Sequence, residues 1–151
     1  MASHNLKEYI NETLKEKNWN AVDLVRLSGI SASDISKYRK GTVIRLKAEV
    51  FYRIYTAFEH SCSKATKAVF PNLDLKINKY KPKQRNAFGN FMKQFETNVN
   101  SLEEVAAKTG INENRLKELY YRKGVVEAYE LLLIEKAVGK KQGELFEEIY
   151  S

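Results

Sequence analysis

The stretch "AVDLVRLSGISASDISKYRKG", residues 21–41, has an echo 81 residues further on in "LEEVAAKTGINENRLKELYYRKG", residues 102–124. In each, a run with an apolar face ends on a glycine (Gly29, Gly110). One apolar residue follows (Ile30, Ile111), and a capping side chain (Ser31, Asn112) opens a second run. Glycine ends a helix in the left-handed conformation without a Cβ penalty, and a Ser or Asn oxygen satisfies one of the N–H groups that a helix start leaves bare. The pattern predicts two helices joined at a tight corner, twice over, and a chain built on two such corners is helical throughout.

The flanking segments repeat the same order. "LKEYINETLKEK" carries Leu6, Tyr9, Ile10 and Leu14 at helical spacing, and Asn20 is placed to cap a second helix to which Val22, Leu24, Val25 and Leu27 give apolar contacts. Ile35 and Tyr38 face inward from the third helix, which Gly41 closes. A fourth helix has Leu46, Val50, Phe51, Ile54, Ala57 and Phe58 on one side, and "CSKATKAVF" makes a short fifth. In the second run, "RNAFGNFMKQF" offers Phe88, Phe91, Met92 and Phe95, and Ser101 with Glu104 reads as a capping box. Leu116 and Leu119 match Ile35 and Tyr38; "AYELLLIEKAV" and "GELFEEIY" complete the set. Between the runs lies "DLKINKYKPKQRN", with five Lys or Arg, one Asp and no apolar stripe. The expected fold is all-α: two tandem five-helix domains, residues 1–73 and 87–151, joined by a short basic linker, residues 74–86. Units of about 70 residues sit near the lower limit for closing a core alone, so the two are expected to lean on each other.

Net charge is +7, and it is unevenly divided. Residues 1–80 hold 14 Lys and Arg against 8 Asp and Glu, whereas residues 81–151 hold 12 against 11. An excess of this sign attracts polyanions, nucleic acid first, and places the contact surface in the first half. Enzyme chemistry finds little support. His4 lies in a terminus expected to fray and His60 at a helix end, neither beside a ligand set or a triad, and "GKKQGE" lacks the spacing of a phosphate loop. Cys62 is the single cysteine and reads as a small partly buried side chain, so no metal site and no cofactor are expected. With no membrane-length apolar run and no signal-peptide core, the chain is expected to be cytoplasmic.

Both halves resemble the lambda-repressor-like, Cro/C1-type (XRE) helix-turn-helix family. The resemblance rests on "NAVDLVRLSGISASDISKYRKG" in the first and on "SLEEVAAKTGINENRLKEL" with "EKAVGKKQGELF" in the second. It implies that the third helix reads the major groove of double-stranded DNA and that the protein is a repressor-like, sequence-specific regulator. Carried across by position, base-facing sites fall on Ala32, Ser33, Ser36 and Lys37, with Ser31 and Arg39 nearer the backbone. In the second half they fall on Glu113, Asn114, Lys117 and Glu118, with Arg115 beside them. Asn20, Lys40, Arg45 and Asn112 complete the expected DNA contacts, the basic residues meeting phosphates.

This sequence departs from the family in three places. The Gln with which the family often opens helix two, and which contacts DNA, is Ala21 in one half and Leu102 in the other. The glycine expected after the second copy's third helix aligns with Arg122, the actual glycine being Gly124, so "YYRKG" is expected to prolong that helix. Glu113 and Glu118 would face phosphates unfavourably. The first half is therefore expected to bind DNA, and the second to be a weaker reader or a surface for dimerisation or a protein partner, with Tyr120 and Tyr121 marking that surface. A second half-site would be supplied by a homodimer, which is preferred, or by the tandem pair itself. The alternative is an antitoxin-type or other protein-interaction module on the same fold.

Overall fold

Local side-chain caps set the start of half of the described helices. In the computed structural model, which describes residues 3–81, 84, 86–92 and 101–151, ten α-helices and no strand form among the described residues. They are α1 Leu6–Lys17, α2 Ala21–Ser28, α3 Ala32–Lys40, α4 Ala48–Ala57, α5 Cys62–Val69, α6 Ala87–Met92, α7 Leu102–Thr109, α8 Glu113–Tyr121, α9 Ala128–Ala137 and α10 Glu144–Tyr150. None is long and apolar enough to cross a membrane. Asn20 and Asp23 close a reciprocal capping box on α2, and Ser61 caps α5 through the Lys64 N–H at 3.1 Å. At α7 only one arm of the expected box forms: Ser101 accepts from the Glu104 N–H at 3.1 Å, while the Glu104 carboxylate reaches forward to Lys108 at 3.2 Å.

Several expectations are corrected. α8 stops at Tyr121 and is not prolonged by "YYRKG", because Arg122 is extended (φ −127°, ψ −175°) and the Glu118 carbonyl accepts from both Arg122 and Gly124 N–H groups. Val22 and Leu27 give no buried contact on α2, being 70% and 45% exposed. Phe88, Phe91 and Met92 of α6 are likewise exposed, unlike their counterparts on α1; Phe95 lies outside the described residues. His4 is tied down by a 3.0 Å hydrogen bond to the Ile44 carbonyl and an edge contact to Phe70. Cys62 is buried, and burial pushes its thiol up to about 11, which leaves it unreactive at neutral pH.

One hydrophobic core runs through both halves. α4 is its centre, packed against α2, α5, α9 and α10. Phe51, fully buried, makes edge-to-face contacts with Tyr55, with Phe70 and, from the far end of the chain, with Phe146 at 5.7 Å. The segment expected to be a solvated linker is partly pinned. Leu75 packs against the core, and Asn78 donates from its backbone to the Lys108 carbonyl and from its side chain to that of Ala107, satisfying carbonyls at the end of α7. Pro82, Lys83 and Arg85 lie outside the described residues.

α10 has no side-chain cap of its own, because Gly143 occupies the N-cap with φ 94°. A side chain there is excluded twice: the conformation is left-handed, and an added Cβ would lie 2.7 Å from the Cβ of Cys62. Glu135 of α9 supplies the missing cap, accepting from Gly143 N at 3.1 Å and Leu145 N at 2.8 Å while only 1% exposed. Burial raises the carboxyl pKa more than the backbone N–H groups of Gly143, Leu145 and Phe146 lower it. A carboxyl whose pKa is raised in the folded state binds its proton more tightly there than in the unfolded chain. The stability it contributes is fully present below the ordinary glutamate pKa and is lost as pH rises through the folded value. The stability difference between the native protein and Glu135→Gln, read from urea midpoints, is expected to shift against the native protein as pH rises from about 4 to neutrality.

Candidate nucleic-acid interface

The corner between α2 and α3 is built as the residues dictate. Gly29 takes φ 71° and donates to the Val25 carbonyl at 3.0 Å, which ends α2. Ile30 is buried and anchors the turn to the core, its N–H bonded to Ser28 Oγ at 3.2 Å. Ser31 Oγ accepts from the Asp34 N–H at 3.1 Å and starts α3. Ile35 and Tyr38 then hold the inner face, fully and nearly buried.

The outward residues of α3 are Ala32, Ser33, Asp34, Ser36, Lys37, Arg39 and Lys40, all exposed; they include the expected set and one carboxylate beside it. A shallow groove lined by Asn11, Ala21, Ala32, Ser36, Arg39 and Lys40 brings the first residue of α2 beside this face. Arg39 is preset: its Nε donates to Asn11 Oδ1 at 2.8 Å, and Asn11 Nδ2 returns a bond to the Arg39 carbonyl at 3.1 Å. That clamp occupies one edge of the guanidinium and leaves the distal nitrogens for a ligand. Lys37 lies 3.9 Å from Asp34, both exposed, a contact that restrains it weakly. Asn20 is at the same end of the unit but its Oδ1 caps α2 through Asp23 N at 3.1 Å. Asn11 is not recognisable from the sequence, because an exposed polar residue on an amphipathic helix carries no local sign of a partner 28 residues away.

Arg45 stands apart. It lines a second groove with Arg115, Glu118, Glu127, Tyr129 and Glu130. The geometry therefore does not bring Arg45 into the groove formed by α2 and α3.

The second corner has the same construction and a different surface. Gly110 is left-handed at φ 76°, and Asn112 Oδ1 accepts from the Asn114 N–H at 2.8 Å to start α8. Glu113, Asn114, Lys117 and Glu118 are exposed. Arg115 turns inward: Nε and Nη2 hold both oxygens of Glu130 at 2.8 and 2.9 Å, Nη2 also donates to the Val125 carbonyl, and Nη1 meets Glu118 at 3.1 Å. Donating hydrogen bonds to the Glu130 carboxylate raises the Arg115 pKa further, so it is a fixed cation. Tyr120 and Tyr121, with rings 6.0 Å apart, and Val125 expose 46%, 77% and 57% of their surface. Among the described residues no group of three or more His, Cys, Asp or Glu side chains is placed to hold a metal ion.

Residues 9–61, from the first turn of α1 to the cap of α5, match the family model of the Cro/C1-type HTH DNA-binding domain. No curated relative and no solved structure matches the chain.

Proposed function

We propose that this protein is a sequence-specific DNA-binding transcriptional regulator, repressor-like in action, whose α3 enters the major groove. The observation that carries the reading is the outward face of α3, small and polar at its capped end and basic at the other, within the segment that matches a DNA-binding domain. Ser33, Ser36 and Lys37 would meet base edges, and Arg39 and Lys40 the phosphates. Residues 87–151 are a diverged copy of the same unit. Its reading face has become acidic at Glu113 and Glu118, and Arg115 is committed to Glu130.

Mobility-shift titration against salt tests the reading. The logarithm of affinity should fall steeply with that of salt. Arg39→Ala with Lys40→Ala should weaken binding on every sequence alike and reduce the slope by about 2, near 0.9 for each phosphate left without its cation. Changes at Ser33 or Lys37 should instead alter which sequence is preferred. Salt-independent binding, or no shift on any genomic fragment, contradicts the proposal.

A second reading, an antitoxin-type or other protein-interaction module, is favoured by one observation: the exposed Tyr120, Tyr121 and Val125 at the end of α8. Replacing both tyrosines by alanine leaves DNA affinity unchanged if this end of α8 faces a protein, and lowers it if α8 lies on DNA.

A further inference from the structure

Where the halves meet, equivalent residues meet each other. The backbone of Lys47 lies antiparallel to that of Glu127, with Ala48 N donating to the Val126 carbonyl at 2.9 Å and Ala128 N to the Leu46 carbonyl at 2.8 Å. Each residue's counterpart stands 80 positions on: 46 with 126, 47 with 127, 48 with 128. The bonds are the same bond written twice, and Ala48 and Ala128 are the first residues of α4 and α9, which pack together. The starts of α5 and α10 also meet, the first residue of one, Cys62, lying against the N-cap of the other, Gly143, so closely that glycine alone fits. Reciprocal contact between like residues is the signature of a two-fold axis in a homodimer.

We infer that the chain is an internal pseudodimer, its second half filling the place that a second copy would take, so that one chain alone forms the DNA-binding unit. The face of α4 is covered by α9 and α10, through Phe146 on Phe51 and Tyr52 Oη donating to Glu147 at 3.0 Å, and is closed to another copy. The pseudo-axis relates α3 to α8, but only α3 carries the small, basic face. The site such a chain reads is lopsided, one half specified by bases and the other not. This last step rests on the DNA-binding reading; the internal pairing does not.

Two measurements on the full chain test the pairing without DNA. First-turn helix N–H groups have no partner in their own helix, so the amides of Ala48 and Ala128 are protected from hydrogen exchange only if the cross-half bonds exist. Both should exchange roughly a thousand-fold or more slower than free peptide, and at similar rates. Light scattering should give the mass of one chain, 17.5 kDa. Fast exchange at either amide, or a two-chain mass, overturns the pseudodimer. With DNA, selection from random duplexes should yield a site with one specified half, bound one chain per duplex; a palindrome bound by two chains overturns the inference. Failure to bind any duplex overturns the DNA reading instead, and leaves the pairing to be judged by exchange and mass.

Discussion

Phe146→Ala lowers the stability of the entire chain by about 3–5 kcal/mol, the usual range for emptying a buried phenylalanine site. Phe146 is fully buried and touches Phe51, Tyr55 and Tyr150, so its removal opens a cavity between α4 and α10, at the seam between the halves. Trp19, the single tryptophan, lies in the first half with its ring 5.9 Å from that of Phe58. Its fluorescence reports unfolding around α1 and α4, whereas far-ultraviolet circular dichroism reports all the helices. If the halves share one core, the urea midpoints by the two probes coincide in the native protein and fall together in the variant. A tryptophan midpoint that stays put while the dichroism midpoint drops would show that the second half unfolds alone.

The features legible in the sequence are those set by bonds of short reach. Ser31 to Asp34, Asn20 to Asp23 and Asn112 to Asn114 span two or three residues, and the left-handed glycines at 29 and 110 need nothing but their own backbone. The order of helices and the exposed face of α3 follow from those and from apolar periodicity. Where periodicity is the sole guide it fails on α6, whose phenylalanines repeat the spacing of α1 yet remain exposed. A stripe states that a face is apolar, and tertiary packing decides whether anything covers it.

What joins the halves leaves little trace in the sequence, because its partners are far apart along the chain. Phe51 and Phe146 are separated by 95 positions, and the pairing of Lys47 with Glu127 uses backbone groups that any residue has. The cap of α10 is hidden in the same way. Glu135 in "LLLIEKA" interrupts an apolar helix, and its use emerges only once Gly143 is folded against it.

Arg115 shows the same limit at the candidate site, and its replacement separates the two roles an arginine on such a helix can have. By position it belongs beside DNA; by geometry it neutralises Glu130, which is 2% exposed and also accepts from the Glu127 N–H. Arg115→Ala leaves that carboxylate buried without a cation. Breaking a buried pair from one side costs about 3–5 kcal/mol, and the partial exposure of Arg115 points to the lower end. Because the destabilisation comes from the stranded charge, Arg115→Ala combined with Glu130→Gln should recover most of it, as the amide removes the charge and keeps an oxygen to accept from the Glu127 N–H. The folded single variant should bind DNA with an unchanged salt slope, in contrast to Arg39→Ala with Lys40→Ala. An arginine on a phosphate behaves the opposite way: its removal reduces the slope by nearly 1 and barely moves the urea midpoint. Measured together, the slope and the midpoint assign Arg115 either to the core of the second half or to the DNA.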